Sequence, residues 1–195
     1  CAEVLAQIDG GEILEYGAGS GKLVVDILVC LAELDALPSA YRIVEVSADL
    51  RERQERYLRQ QIPDLAHLVT WLSAPPGVIH GVVVANEVLD ALPVERFVRR
   101  DGSVHQLRVQ AGRHGFEFTE MPAPARLAAE VEKIERDIGE HLPDGYVSEV
   151  CIALPDWIAQ VSGAVQEGVV LLFDYGVSRR EYYARERSDG WLRCH

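Results

Sequence analysis

A chain of 195 residues with 48% hydrophobic and 26% charged residues has ordinary globular composition, enough for one core burying roughly 70% of the unfolded surface. The formal charge of −12 argues against a nucleic-acid backbone as main partner, because phosphate binding needs a basic surface. No apolar run approaches the ~18 residues of a membrane span, and a single domain over 1–195 is expected, lacking its true N-terminus because Cys1 opens as if inside a helix.

All but Lys22 and Lys133 of the 19 basic residues are Arg. The acidity suits cationic ligands, or serves solubility alone. Cys1, Cys30, Cys151 and Cys194 have no CxxC or metal-ligand spacing; Cys30 and Cys151, among apolar neighbours, are expected in the core of a protein from a reducing compartment. The six His form no HExxH cluster, and although Cys194 and His195 are adjacent, no metal site is expected.

In chain order, Glu12 to Tyr16 reads as a strand ended by a glycine run. Leu23, Val24, Ile27, Leu28, Leu31 and Leu34 follow at helical spacing. Tyr41 to Val46 is a second strand, and Asp49 with Glu52 reads as a capping box for a helix in which Leu50, Tyr57, Leu58 and Ile62 share a face. His67 to Leu72 and Val78 to Ala85 are further strands, the latter apolar enough to be covered on both faces. Strands separated by helices imply parallel βαβ units.

From Val94 to Phe118 the alternation has period two, broken at Asp101-Gly102 and at Gly112 to Gly115. These hairpin signals predict antiparallel structure added to the parallel sheet, in an inserted region at about 94–150. A helix with Leu127, Val131, Ile134 and Ile138 on one face follows. Another from about Asp156 turns Trp157, Val161 and Val165 inward, and Val169 to Phe173 is a buried strand ending at Asp174-Tyr175-Gly176.

The chemistry concentrates at strand ends. Glu15-Tyr16-Gly17-Ala18-Gly19-Ser20-Gly21 follows a strand and opens a helix, the setting in which backbone approaches a ligand closely. A P-loop needs Gly where Tyr16 stands and Ser or Thr where Leu23 stands, so it fails twice; a dinucleotide fingerprint needs its third glycine one residue later. Asn86-Glu87-Val88-Leu89-Asp90-Ala91-Leu92-Pro93 crowds two carboxylates and an amide at the end of a buried strand, where open α/β sheets bind ligands. The alternative is a helix start, with Asn86 as N-cap and Glu87 in the first turn.

Glu-x-Gly-x-Gly-x-Gly resembles the first motif of class I S-adenosylmethionine-dependent methyltransferases, which implies a Rossmann-like α/β fold with a mostly parallel sheet and an inserted antiparallel hairpin region. The resemblance implies S-adenosylmethionine as cofactor. It places Glu15 near the cofactor's amino-acid part, with Gly17, Ala18, Gly19 and Gly21 around it. Glu45 would accept the two ribose hydroxyls, unless it is only a solvated strand end. Trp71 falls where such enzymes place residues against the adenine, or it fills core, and Asn86 completes the cofactor set.

Glu15 to Lys22, Glu45-Val46-Ser47, Ala85 to Pro93, Asp174-Tyr175-Gly176 and Arg180-Glu181-Tyr182-Tyr183 together resemble the MidA-type methyltransferases. That family comprises bacterial proteins of unassigned substrate and the mitochondrial complex I assembly factor that methylates an arginine. The resemblance implies a protein substrate, a respiratory-complex subunit among the candidates, and a cytoplasmic or mitochondrial-matrix location. It also implies that the family's sheet continues past His195. Where the family has Thr after Asp189-Gly190, Trp191 stands here, and that loop is given no role.

Glu87, Asp90 and Glu149 are the candidates for gripping a guanidinium, with Asp174 and Tyr175 as further lining; Glu149 lies in Gly145-Tyr146-Val147-Ser148-Glu149. Two other functions stay open: an assembly factor that binds the cofactor without transferring methyl, and a Rossmann-type nucleotide-dependent oxidoreductase, which the glycine spacing disfavours.

Overall fold

The computed structural model describes residues 1–8 and 10–192; the Cys194-His195 pair lies outside the described residues. Its elements in chain order are α1 (Ala2–Leu5), β1 (Glu12–Tyr16), α2 (Lys22–Glu33), β2 (Tyr41–Val44) and α3 (Ala48–Gln61), then β3 (Val69–Leu72) and β4 (Ile79–Asn86). An antiparallel stretch follows: β5 (Glu95–Arg100), β6 (Ser103–Gly112) and β7 (Gly115–Pro122). Last come α4 (Ala125–Ile138), β8 (Val147–Val150), α5 (Leu154–Ala164), β9 (Val165–Phe173) and α6 (Arg179–Tyr182). They form two compact units, Cys1–Ala91 with Asp156–Asp174, and Leu92–Pro155 with the segment from Tyr175 onward.

The first unit is a five-stranded sheet of order β3-β2-β1-β4-β9, every pairing parallel. Parallel strands are covered on both faces, and β4 shows it: Ile79 and Val82 to Ala85 are all buried. On one face Ile13, Tyr41, Ile43, Val82 and Val84 pack with Val24, Leu28 and Leu31 of α2 and Leu58 of α3. On the other, Leu14, Tyr16, Val83 and Ala85 pack with Val161 and Ala164 of α5. The chain winds outward from β1 to β3 and returns to β4 on the other side of β1, so the strand order reverses between β1 and β4.

Several local expectations are corrected. The cap of α3 is Ser47, whose Oγ accepts from Leu50 N–H, because the chain leaves β2 at Val44 and turns helical sooner. Asp49 and Glu52 instead pair with Arg53 and Arg56 on the exposed side of α3. Residues 66–68 make a 3-10 turn before β3. Val165 begins β9 rather than ending α5, so that strand is longer than Val169 to Phe173, and as an edge strand it is half-buried to exposed rather than buried. Cys30 is exposed, since its place on α2 points away from the side carrying Leu28 and Leu31; Cys151 is half-buried.

The second unit carries its own four-stranded antiparallel sheet, order β7-β6-β5-β8, rather than hairpins continuing the parallel one. Asp101 and Gly102 both have positive φ, 50° and 74°, the conformation a two-residue turn needs to match strand twist. β8, unread from the sequence, pairs with β5 from Glu95–Val150 to Val98–Val147. Leu127, Val131, Ile134 and Ile138 of α4 are all buried against Phe97, Leu142, Tyr146 and Tyr183. Among the described residues no helix is long and apolar enough to cross a membrane, and no cluster of three His, Cys, Asp or Glu could hold a metal.

Candidate functional site

The carboxyl ends of β1, β2, β3 and β4 lie side by side in the first unit, around the reversal of strand order where open sheets form a crevice. Gly17, Gly19 and Gly21 all have positive φ, 62°, 52° and 83°, a repeated left-handed path that side chains resist. A Cβ at Gly17 would lie 3.2 Å from Val88 Cγ2, whereas one at Gly19 would meet nothing within 4 Å. The loop therefore rests against the segment after β4 at one glycine and is open above another. Ala18, between them, is buried in the core beneath.

Glu15 is 2% exposed, and its Oε2 accepts from the Tyr41 hydroxyl at 2.6 Å. Burial pushes its carboxyl up to about 7, with the Tyr41 hydrogen bond pulling the other way. Burial and the neighbouring Glu15 raise Tyr41 in turn, so its hydroxyl stays protonated and donates.

Glu45 follows the end of β2 and is 6% exposed. Its Oε1 accepts from Ser47 N–H at 2.9 Å and its Oε2 from the Gln54 amide at 3.4 Å. A carboxylate offers about four acceptor positions, so each oxygen keeps capacity for a ligand hydroxyl. Arg51 fixes the backbone here by donating to the carbonyls of Glu45 and Leu72. Trp71 is half-buried and its indole N–H is taken by Gln54 at 2.8 Å. Gln54 also reaches Gly19 O at 2.9 Å. Sequence reading missed it, although it interrupts the apolar stripe of Leu50, Tyr57 and Leu58 with a polar residue.

At the end of β4, Asn86, Glu87 and Asp90 are exposed. The helix-start alternative is not what forms: residues 89–91 make one 3-10 turn, and Glu87 is held at φ 50°, unusual for a non-glycine residue. Glu87 N–H donates to Phe173 O at 2.8 Å, and Leu89 N–H to Asp174 Oδ2 at 3.0 Å, so the end of β9 clamps this segment. Tyr175 is 88% exposed.

Glu149 belongs to the second unit. It is 2% exposed, and its Oε1 accepts from Tyr182 Oη at 2.9 Å and Trp191 N–H at 2.6 Å. Oε2 is buried with no hydrogen-bond partner, packed where a Cβ on Gly190 would come within 2.3 Å. Trp191 has a role after all: it stacks on Tyr182 at 5.4 Å, donates its indole N–H to Tyr182 O and carries the Arg187 guanidinium over its ring.

A parallel sheet with a glycine loop and a carboxylate at its first two strand ends defines a Rossmann-like nucleoside-binding class. The model of the family described as "Putative S-adenosyl-L-methionine-dependent methyltransferase" matches residues 1–195, and the chain belongs to that family. It is 36% identical to a Burkholderia thailandensis protein whose crystal structure is bound to S-adenosyl-homocysteine, with a TM-score of 0.85 over 97% of this chain and 48% of that one. A native crystal structure from the same organism gives 36% identity and a TM-score of 0.86 over 97% of this chain and 50% of that one. The chain thus spans about half the length of these solved relatives. None of the curated proteins matches it.

Proposed function

We propose that the protein is an S-adenosylmethionine-dependent methyltransferase of the MidA type that modifies a protein side chain, arginine by resemblance. The observation that carries the cofactor is the pairing of an open, positive-φ glycine loop with the buried Glu45 carboxylate. Gly19 leaves open space over the backbone, and Glu45 has acceptor capacity for two ribose hydroxyls. Trp71 lies beside them for the base, Glu15, held by Tyr41, stands just before the loop, and Asn86 borders the cofactor's amino-acid end.

When bound, S-adenosylmethionine supplies a methyl group on a sulfonium. The remaining work is to hold the acceptor in line, and orientation alone is worth on the order of 7–11 kcal/mol. A guanidinium with a pKa above ~12 is a poor nucleophile. Glu87 and Asp90, exposed at the end of β4 and backed by the Asp174 clamp, grip two of its nitrogens and leave the third free. Glu149, buried in the second unit with one oxygen free of hydrogen bonds, is kept as a separate candidate carboxylate. A respiratory-complex subunit is the acceptor the resemblance suggests, in the bacterial cytoplasm or the mitochondrial matrix.

Incubating the protein with methyl-labelled cofactor and a cell lysate, then locating the label by mass spectrometry, tests this reading. Label on arginine is expected. Tight cofactor binding with no label on any protein would replace the enzyme with a cofactor-holding assembly factor.

A further inference from the structure

Gln54 is fully buried on α3, yet its amide meets three groups from separate parts of the chain. Nε2 donates to Gly19 O and to Glu45 Oε2, and Oε1 accepts from Trp71 Nε1–H. Chemistry fixes which end is which: an indole N–H only donates, while a carbonyl and a carboxylate only accept. A reversed amide would set N–H against N–H and oxygen against two oxygens. Gln54 Cγ also lies 3.6 Å from where a Cβ on Gly21 would sit, so α3 packs directly against the glycine loop.

We propose that Gln54 is a positioning residue for the adenosine half of the cofactor. It ties the glycine loop, the ribose-binding carboxylate and the indole beside the base into one buried network. The inference rests on the cofactor site proposed above. Groups ordered by folding lose no further freedom when the ligand arrives, which tightens binding without any contact from Gln54 itself.

Gln54→Glu separates positioning from structural filling. The new carboxyl still accepts from Trp71, but its other oxygen faces Gly19 O and the Glu45 carboxylate. The other ionisable groups nearby are Arg51, on the Glu45 and Leu72 carbonyls, and Tyr57, across Gly21. Two facing carboxylates share one proton and release it at raised pH. At pH 8 the variant is expected to bind S-adenosylhomocysteine at least about tenfold more weakly than wild type by calorimetry. At pH 6 most of that affinity returns, because the shared proton restores a donor, and wild type shows no such gain. The Trp71 indole N–H resonance, assigned by its loss in Trp71→Phe, shifts with the same midpoint.

Wild-type affinity in Gln54→Glu at pH 8 overturns the proposal. So does a loss that is constant from pH 8 to pH 6, or one that only follows a lowered melting temperature. If Gln54→Glu does not fold, Gln54→Met keeps the length without the hydrogen bonds. It too should bind about tenfold more weakly at its own folded plateau, and unchanged affinity there overturns the proposal equally. Absence of heat with the wild-type protein would instead sink the cofactor reading.

Discussion

Glu15 shows how one burial decides a titration. Its carboxyl sits in the core with a raised value of about 7. Between the ordinary carboxylate range and about 7 the folded chain therefore holds a proton that the unfolded chain has released. Stability falls as pH rises through that window, by on the order of 3 kcal/mol. Glu15→Gln keeps an acceptor for Tyr41 and removes the titration. Its melting temperature should exceed wild type at pH 8 and converge with it near pH 5; parallel curves would disprove the assignment. Glu45 is the counterpart at the ligand. Glu45→Ala should weaken S-adenosylhomocysteine at least about tenfold, since hydrogen bonds to charged groups contribute roughly 1.5–3 kcal/mol each. Calorimetry with unchanged affinity would return Glu45 to a mere strand end. The glycine motif and Glu45 were legible in the sequence because motif spacing reports backbone geometry directly. Gln54 was not, because its three partners are Gly19, Glu45 and Trp71, distant positions that only the fold brings together.

Among elements, strands and helices with a strong period were readable, and their edges were not. The stripe of Leu127, Val131, Ile134 and Ile138 marks α4 because every fourth or third residue must be buried. β8 escaped notice because a four-residue strand containing the buried Ser148 and Glu149 has no apolar alternation to detect. The last turn of α4 holds another fact invisible in sequence. Burial would raise the Glu135 carboxyl, but His141, Leu142 N–H and Arg99 outweigh it and hold it below the ordinary value. Arg99 and Glu135 are 12% and 4% exposed, so Glu135→Ala leaves a buried guanidinium unpaired and should cost about 3–5 kcal/mol. Denaturant unfolding measures this, and a loss under ~1 kcal/mol would mean water replaces the carboxylate. The segment after β4 gives the opposite expectation. Since no helix starts at Asn86, Glu87→Gln and Asp90→Asn have no helix terminus to weaken. Melting temperature and cofactor affinity should hold while methyl transfer drops ~10²-fold. A melting shift with normal turnover would remove both residues from the acceptor site.

At the scale of the whole molecule, the class was read from the order of motifs and the inserted region from its change of period. The separateness of the second sheet was not, because hydrogen bonding between strands leaves no mark in a single strand's pattern. That insertion has a consequence for how the protein is made. Asn86 of β4 pairs with Phe173 of β9, while residues 87–164 separate the two strands in the chain. As synthesis proceeds, β4 emerges long before its neighbour and offers an unpaired edge to any passing strand. Closing so long a flexible loop carries an entropic penalty. The pairing of Glu95 with Val150 draws the two ends of residues 95–150 together, so once it forms only short arms remain to close. That pairing is therefore expected to speed docking of β9, even before Tyr183, which lies beyond β9 in the chain, completes the packing around α4. Weakening it with Glu135→Ala should delay protection of the β9 amides from Val169 to Leu172 in pulse-labelled refolding, and an unchanged rate would show that β9 docks without waiting for it.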